Sequence, residues 1–297
     1  MFKILKKEKL TGNIVTMDIL APRVAKSGKI GQFVILIADE KSERLPLTIC
    51  DSDPEKGSVT IVFQTVGSST KKLDGFKEGE EIADFVGPLG MPSELYGKDP
   101  RELNDMHIIL IGGGVGTAPI YPQAKYLNSL GVDFDVIIAT KSKSTLILED
   151  KMRAVCKNVF IATDDGSCGF HGNGSELLED LLTKQGRHYE HAVVIGPVIM
   201  MKFTTLVLKK HGIPTVVSMN SMMVDGTGMC GACRIKVGDE IKFTCVDGPE
   251  FDGYKVDFDL AMKRLAMYKN EELEKISRDE AVFARGGNPY CGCRVNM

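Results

Sequence analysis

The chain has 297 residues, 43% of them hydrophobic, and a formal net charge of −3. That length predicts about two domains, and the near-neutral balance argues against both a basic nucleic-acid surface and an acidic disordered tail. The N-terminal MFKILKKEKLTGNIV has lysines but no apolar core and no small-residue cleavage site, and no run of about 18 apolar residues follows, so neither a signal peptide nor a membrane span is expected and the expected location is cytoplasmic.

Residues 1–100 read as β. GNIVTMDILAP, GQFVILIAD, RLPLTICDSD and GSVTIVFQTVG are short β-branched runs separated by Gly, Pro and Asp, the pattern of a small antiparallel barrel. Near residue 105 the pattern changes. HIILIGGG is a continuous apolar run entering glycines, as a buried parallel strand does. Helix and strand patterns then alternate through APIYPQAKYLNSLG, VDFDVIIAT, LILEDKMRAVC, NVFIATDDG, SELLEDLLTKQG, AVVIGP, VIMMKFTTLVLKKHG and PTVVSM. Units of this length predict a parallel sheet with crossover helices. The expected fold class is thus β plus α/β, with an antiparallel β-barrel over 1–100, a parallel-sheet dinucleotide domain over 101–219, a small cysteine-loop region over 220–257, and a charged helix and tail over 258–297. FDLAMKRLAMYKNEELEKISRDEA (258–281) reads as one amphipathic helix.

The chemistry concentrates in MVDGTGMCGACRIKVGDEIKFTC. Asp225, Cys230, Cys233 and Cys245 have the spacing of a plant-type [2Fe–2S] loop, with Asp in place of the first Cys. Glycines 226, 228 and 231 allow the tight curl such a loop needs, and RIKVGDEIKFTC reads as a hairpin, turning near Gly238, that returns Cys245 to the loop. The competing reading is a structural zinc site, with Asp225 or no fourth ligand; for Asp225 itself the alternative to a ligand is a turn residue. Of the eight cysteines, five fall in or near 230–245 and 291–293, a clustering that favours metal ligation over disulfides. The pair Cys291 and Cys293 reads as a tail with free thiols, or as a further metal or docking pair.

A second motif, IGGGVGTAP, follows a strand and opens a helix. Gly112, Gly113, Gly114 and Gly116 allow close approach to a pyrophosphate, and the helix after them offers its N–H groups. Thr117 replaces the third glycine of the usual fingerprint, and no acidic residue ends the next strand. Lys141, Ser142, Lys143 and Ser144 stand there instead, either for a 2′-phosphate or as a solvated turn, so NAD and NADP are not distinguished. Two further loops fall at strand C-termini, where open α/β sheets bind ligands: Asp164, Asp165 and Gly166 in one, Gly196, Pro197 and Met200 in the other. Cys168 faces a nicotinamide or is an inert small residue.

In order, RLPLT, TVGSST, GPLG, IGGGVGTAP, TDDGS, GPVIMMK and the cysteine loop resemble the ferredoxin–NADP reductase superfamily. Within it they resemble the electron-transfer branch that includes the subunits of dihydroorotate dehydrogenase and of NADH-dependent ferredoxin:NADP oxidoreductase. The resemblance covers about residues 1–270. The dihydroorotate type carries Cys where this chain has Asp225, which favours the ferredoxin:NADP type. The resemblance implies FAD on the barrel, with Arg44, Leu45, Pro46, Leu47 and Thr48 as the flavin strand; Leu45 is an insertion in its motif. It implies Val62, Phe63, Gln64, Gly67, Ser69 and Thr70 along the flavin and its pyrophosphate, and Gly87, Pro88, Leu89 and Gly90 at the turn that closes the barrel. It also implies NAD(H) or NADP(H) at the glycine loop, a [2Fe–2S] cluster as the electron exit, and a larger flavin and iron–sulfur subunit as partner. Hydride transfer requires no general acid or base, and none is assigned. Alternatives are the electron-transfer subunit of a dihydroorotate dehydrogenase and, in another class, a nucleotide-binding module with structural zinc.

Overall fold

A computed structural model describes residues 2–40, 42–285 and 289–290. The first part of the chain forms β1 (Phe2–Lys9), β2 (Ile14–Leu20), helix α1 (Pro22–Ser27), β3 (Phe33–Ile37), β4 (Arg44–Asp53), β5 (Ser58–Gln64), helix α2 (Ser68–Asp74), β6 (Glu81–Ile82) and β7 (Asp84–Leu89). These strands make one antiparallel sheet in the order β6-β1-β2-β5-β4-β3-β7. Strand β2 alternates as a half-buried strand should, with Val15, Met17 and Ile19 fully buried. Strand β1 was not among the β-branched runs: its FKILKKEK is lysine-rich, and of it only Ile4 is buried. Backbone pairing with β2 makes it a strand.

Strand β3 differs from its neighbours. All five residues of FVILI are apolar. Val34 and Leu36 enter the barrel core, while Phe33 and Ile35 point to the other face and are also buried. An antiparallel strand that is apolar on both faces has something packed on each, and the outer cover here is the cysteine-loop region.

After helix α3 (Pro100–Asp105), capped by Asp99 accepting from the Arg101 N–H at 2.8 Å, the pattern alternates as expected. It runs β8 (Ile108–Gly113), α4 (Thr117–Ser129), β9 (Phe134–Thr140), α5 (Glu149–Val155), β10 (Asn158–Thr163), β11 (Phe170–His171), α6 (Gly174–Thr183), β12 (His191–Ile195), α7 (Val198–Lys210) and β13 (Thr215–Ser218). The strands pair in parallel in the order β11-β10-β9-β8-β12-β13. The order reverses between β8 and β12, the switch point where such sheets open a ligand crevice. Capping is explicit at α6, where Asn173 and Glu176 bond reciprocally to each other's backbone N–H.

The cysteine loop leads into β14 (Arg234–Val237), β15 (Glu240–Phe243), helix α8 (Thr244–Asp247) and β16 (Glu250–Asp252). The predicted hairpin is present, with Gly238 at φ +61 in its turn. Strand β16 then joins the parallel sheet, antiparallel to β13, so a strand from beyond residue 219 completes the dinucleotide sheet. The single helix expected over 258–281 is two: α9 (Phe258–Leu265) and α10 (Lys269–Ala284). Helix α9 buries Phe258 and Ala261 in the core around α7. Helix α10 is half charged residues, is not part of that core, and packs instead against α2. One apolar core joins the two large sheets: Ile14, Cys50 and Val62 from the first pack with Ala118 and Tyr121 of α4.

Candidate functional site

The cysteine loop sits on the outer face of the first sheet. Cys233 and Cys245 are buried with Phe33, Ile35 and Met223, and Leu89 and Phe243 pack at the edge. Burying each such side chain contributes about 1.5–3 kcal/mol, which holds the loop against the barrel. The close approach needs glycine: a Cβ on Gly226, whose φ is +82, would lie 2.6 Å from Ile35 Cδ1. Within this seat the two thiols stand 3.2 Å apart. Burial first, and Cys233 second, push the Cys245 thiol up to about 12, while the Gly228 amide opposes them. Cys230 is exposed on the same loop.

Asp225 is half-buried, and its carboxylate organises the turn. Oδ2 accepts from the Thr227 N–H at 3.1 Å, the Thr227 hydroxyl at 2.6 Å and the Met229 N–H at 3.2 Å. These bonds, Thr227 hydroxyl first, hold the carboxyl below the usual carboxylate range, with Arg44 adding a nearby positive charge. The donor set fits a [2Fe–2S] centre, in which each of two irons takes two protein ligands. Cys233 and Cys245 form a converged buried pair; Asp225 and Cys230 are on the exposed arm of the loop. Among the described residues no three His, Cys, Asp or Glu side chains converge on one point, so the Cys233–Cys245 pair is the part of the donor set that the fold has brought together.

Residues directly opposite on antiparallel strands share a face. Thr48 lies opposite Phe33, Pro46 opposite Ile35 and Arg44 opposite Ile37. The expected flavin strand therefore presents Arg44, Pro46 and Thr48 on the face that seats the cysteines, while Leu45 and Leu47 turn into the barrel core. On β5, the Phe63 ring is in the barrel core and Val62 is in the core shared with α4, which leaves Gln64 and the backbone at the surface. Gly67 opens on empty space. Thr70 Oγ1 accepts from the Gly67 N–H at 3.1 Å and so caps its own helix. The Ser69 hydroxyl donates to Glu43 and the Ser68 hydroxyl to Asp279 of α10. Glu43 thus holds the Ser69 hydroxyl, which was expected to lie along the flavin pyrophosphate. Gly87 and Pro88 lie in β7, where a Cβ on Gly87 would meet Val34 at 2.8 Å, and Gly90 abuts Phe33 and the Gly248 carbonyl.

The glycine loop ends β8 and touches β5. Its glycines serve different needs. A Cβ on Gly112 would meet Thr117 at 2.9 Å, one on Gly113 would meet Met200 Sδ at 2.0 Å, and one on Gly116 would meet the Ile195 carbonyl at 2.3 Å. Only Gly114, at φ +55, faces open space, so it is the one glycine whose missing side chain leaves room for a ligand. Gly196 packs on Gly113 and Met200, and Pro197 also reaches Gly113, tying the 195–200 turn to the glycine loop. Asp164 and Asp165 donate their N–H groups to the Thr140 and Lys141 carbonyls at 3.1 and 3.2 Å. Asp165 accepts from the Ser167 hydroxyl at 2.6 Å, and Gly166 takes φ +71. The Lys143 N–H reaches Ser167 Oγ at 2.7 Å, so the 141–145 and 163–168 loops form one wall of the sheet's ligand edge. Cys168 is half-buried, its backbone bonded both ways to the Thr163 hydroxyl.

Comparison with known proteins agrees with this arrangement. The iron–sulfur cluster binding domain of dihydroorotate dehydrogenase B matches residues 220–257. A dihydroorotate dehydrogenase B (NAD(+)) electron transfer subunit homolog of Thermotoga maritima is 43% identical over 284 residues, 96% of each chain. This chain belongs to the dihydroorotate dehydrogenase B electron-transfer-subunit family. An uncharacterized protein of Clostridium beijerinckii is 55% identical over 99% of both chains. A chain of the NADH-dependent reduced ferredoxin–NADP oxidoreductase, solved in work on flavin-based electron bifurcation, is 40% identical with a TM-score of 0.84, covering 94% of this chain and 97% of that one. The family member is an oxidoreductase electron-transfer subunit of the ferredoxin-reductase fold, and its cofactors are FAD, [2Fe–2S] and NAD(H). No helix among the described residues is long and apolar enough to cross a membrane.

The sequence did not reveal three parts of the site: the apolar seat of Phe33, Ile35 and Met223, the nearness of Arg44 to Asp225, and the Glu250–Gln123 contact between β16 and α4. The apolar FVILI run was the available signal for the first. The other two join residues more than a hundred positions apart.

Proposed function

We propose that this subunit takes hydride from NADH and delivers single electrons to a larger flavin and iron–sulfur partner, as in an electron-bifurcating ferredoxin:NADP oxidoreductase. The observation that carries the reading is the shared outer face of β3 and β4, where Arg44, Pro46 and Thr48 adjoin the seat of Cys233 and Cys245. A flavin bound on that strand and a cluster held by those thiols are neighbours across one sheet face. When bound, FAD and the cluster supply the change from two-electron to one-electron transfer; the chain supplies position and shielding. The backbone of β4 and Thr48 would hold the flavin ring, and Gly67 with the start of α2 its pyrophosphate. Gly114 and the N-terminus of α4 would take the dinucleotide phosphates, with the 141–145 and 163–168 loops beside its adenosine half. Cys233 and Cys245 would bind one iron, Cys230 and Asp225 the other, Asp225 through Oδ1 because its three hydrogen bonds land on Oδ2.

The exit faces solvent. Met229 is 89% exposed, Val224 is exposed on the same loop, Val246 is exposed next to Gly228, and Ile241 is exposed on β15. This apolar rim beside Cys230 suits a partner surface. A flavin spectrum with about two iron per chain, bleached by NADH, tests the electron-transfer reading; a colourless zinc protein sinks it. The second reading, a subunit of a dihydroorotate dehydrogenase, has the family match over 220–257 in its favour. Co-purification separates the two, because a dihydroorotate-oxidising partner removes the first.

A further inference from the structure

Glu250 opens β16 beside Ser218 of β13. Its Oε1 accepts from Gln123 Nε2 of α4 at 2.7 Å, and Gln123 is fully buried. The Ser93 hydroxyl and the Glu94 N–H approach the same carboxyl. Three parts of the chain therefore meet on one group: the exit from the first sheet, the helix that opens on the glycine loop, and the strand that follows the cysteine loop.

Two acceptors in this cluster are left over. Glu250 Oε2 and Gln123 Oε1 are both sealed from solvent with no partner in hydrogen-bond geometry. An ionised carboxylate there is an unpaired buried charge, which is costly. A carboxylic acid O–H supplies the donor that the cluster lacks. The charged neighbours favour the acid as well. Glu94 faces Glu250 and is itself held below the usual carboxylate range by the His191 ring, with Lys98 adding to it. His191 Nε2 lies 2.9 Å from Glu94 Oε1. Among the described residues no cation forms an ion pair with Glu250. Burial first, and Glu94 after it, push the Glu250 acid up to about 7, against the nearby Ser93 hydroxyl and the Gln123 amide.

We propose that Glu250 is a proton-operated clasp: with its proton it holds α4, the Ser93–Glu94 turn and β16 together, and on losing it the junction loosens. Helix α4 begins at the glycine loop, which touches β5, so the clasp sets how firmly the dinucleotide edge is held to the barrel. That consequence rests on the proposed function; the clasp does not. The direction follows from linkage. The folded acid is weaker than the unfolded one, whose value is about 4.3. Its contribution is full below that value and is lost as pH rises through about 7.

The test uses the full chain loaded with its cofactors, as wild type and as Glu250→Gln, a neutral isostere that keeps a donor. Thermal unfolding is followed from about pH 5.5 to about pH 8.5. The expected result is that the Tm of E250Q relative to wild type rises by several degrees as pH increases from about 5.5, and that the difference levels off above neutrality. A difference that stays constant with pH overturns the clasp. If E250Q does not fold, the wild type alone decides by infrared spectroscopy: a protonated-carboxyl band should vanish as pH passes neutrality, and no such band at about pH 6 overturns the proposal. Stopped-flow reduction of the flavin by NADH reads the consequence for α4: the rate should fall with pH in wild type and not in E250Q, and identical profiles remove that coupling. If NADH reduces the flavin in neither protein, the proposed function fails while the melting data still decide the clasp.

Discussion

Asp225 has a structural task before any metal is considered. Its Oδ2 gathers two N–H groups and a hydroxyl, and so shapes the turn that carries Cys230. The two roles separate by substitution. Asp225→Asn keeps an acceptor for the turn and removes the charged ligand; Asp225→Ala removes both. The expected outcome is an altered cluster spectrum in D225N with the same apparent stability, and in D225A a bleached cluster, with flavin still bound in each. Electron paramagnetic resonance after NADH reduction checks this, and an unchanged cluster signal in both variants shows that Asp225 is no ligand. The glycines carry a related lesson. Four glycines looked alike in IGGGVGTAP, yet Gly112, Gly113 and Gly116 lie against neighbouring protein atoms, while Gly114 faces open space and needs glycine for its φ of +55.

At the scale of elements, β3 links barrel and cluster. One face of the strand belongs to the barrel core and the other to the cysteine seat. Ile35→Ala should therefore cost about 2–5 kcal/mol and show it first as faster loss of the cluster, while the barrel stays folded. Iron release timed against the loss of β circular dichroism tests this, and simultaneous loss of both contradicts it. Helices α2 and α10 form a second linked pair. Asp279 takes the Ser68 hydroxyl, Glu43 takes that of Ser69, and the ion pairs Lys275–Glu43 at 3.0 Å and Lys71–Glu280 at 3.1 Å span the gap. These pairs are exposed and each contributes little. If the flavin pyrophosphate lies at the start of α2, the two carboxylates oppose it. The double variant Glu43→Gln, Asp279→Asn should then bind FAD more tightly by roughly 0.5–1 kcal/mol per charge removed, measured by fluorescence titration of the deflavinated protein. Unchanged or weaker binding argues that the pyrophosphate lies elsewhere.

At the scale of the molecule, two sheets, one shared core and a docked loop place the three expected sites along one path. The sheet's ligand edge opens at the switch point between β8 and β12. The proposed flavin strand, β4, packs against α4 beside it, and the cysteines sit on the outer face of the neighbouring β3. The apolar rim around Met229 ends the path at the surface. Met229→Glu should leave flavin and iron content unchanged and weaken recovery of the partner by affinity purification. Equal recovery moves the docking surface elsewhere.

Much of this was legible in the chain itself, for a physical reason. Strand alternation, helix periodicity, the glycine loop and the cysteine spacing are local patterns, each written within about twenty residues by backbone geometry and ligand reach. They determined the two sheet types and the order of the parts, and they pointed to Cys230, Cys233 and Cys245 as candidate ligands. Relations across the fold are not local. The chain could not show that β16 closes the dinucleotide sheet, that FVILI is covered on its second face, that α10 brings Asp279 onto α2, or that Glu250 is buried against Gln123 from a helix 127 positions away. Those contacts arise only when distant segments compete for the same buried surface. Tertiary packing alone decides which polar groups are then left without water.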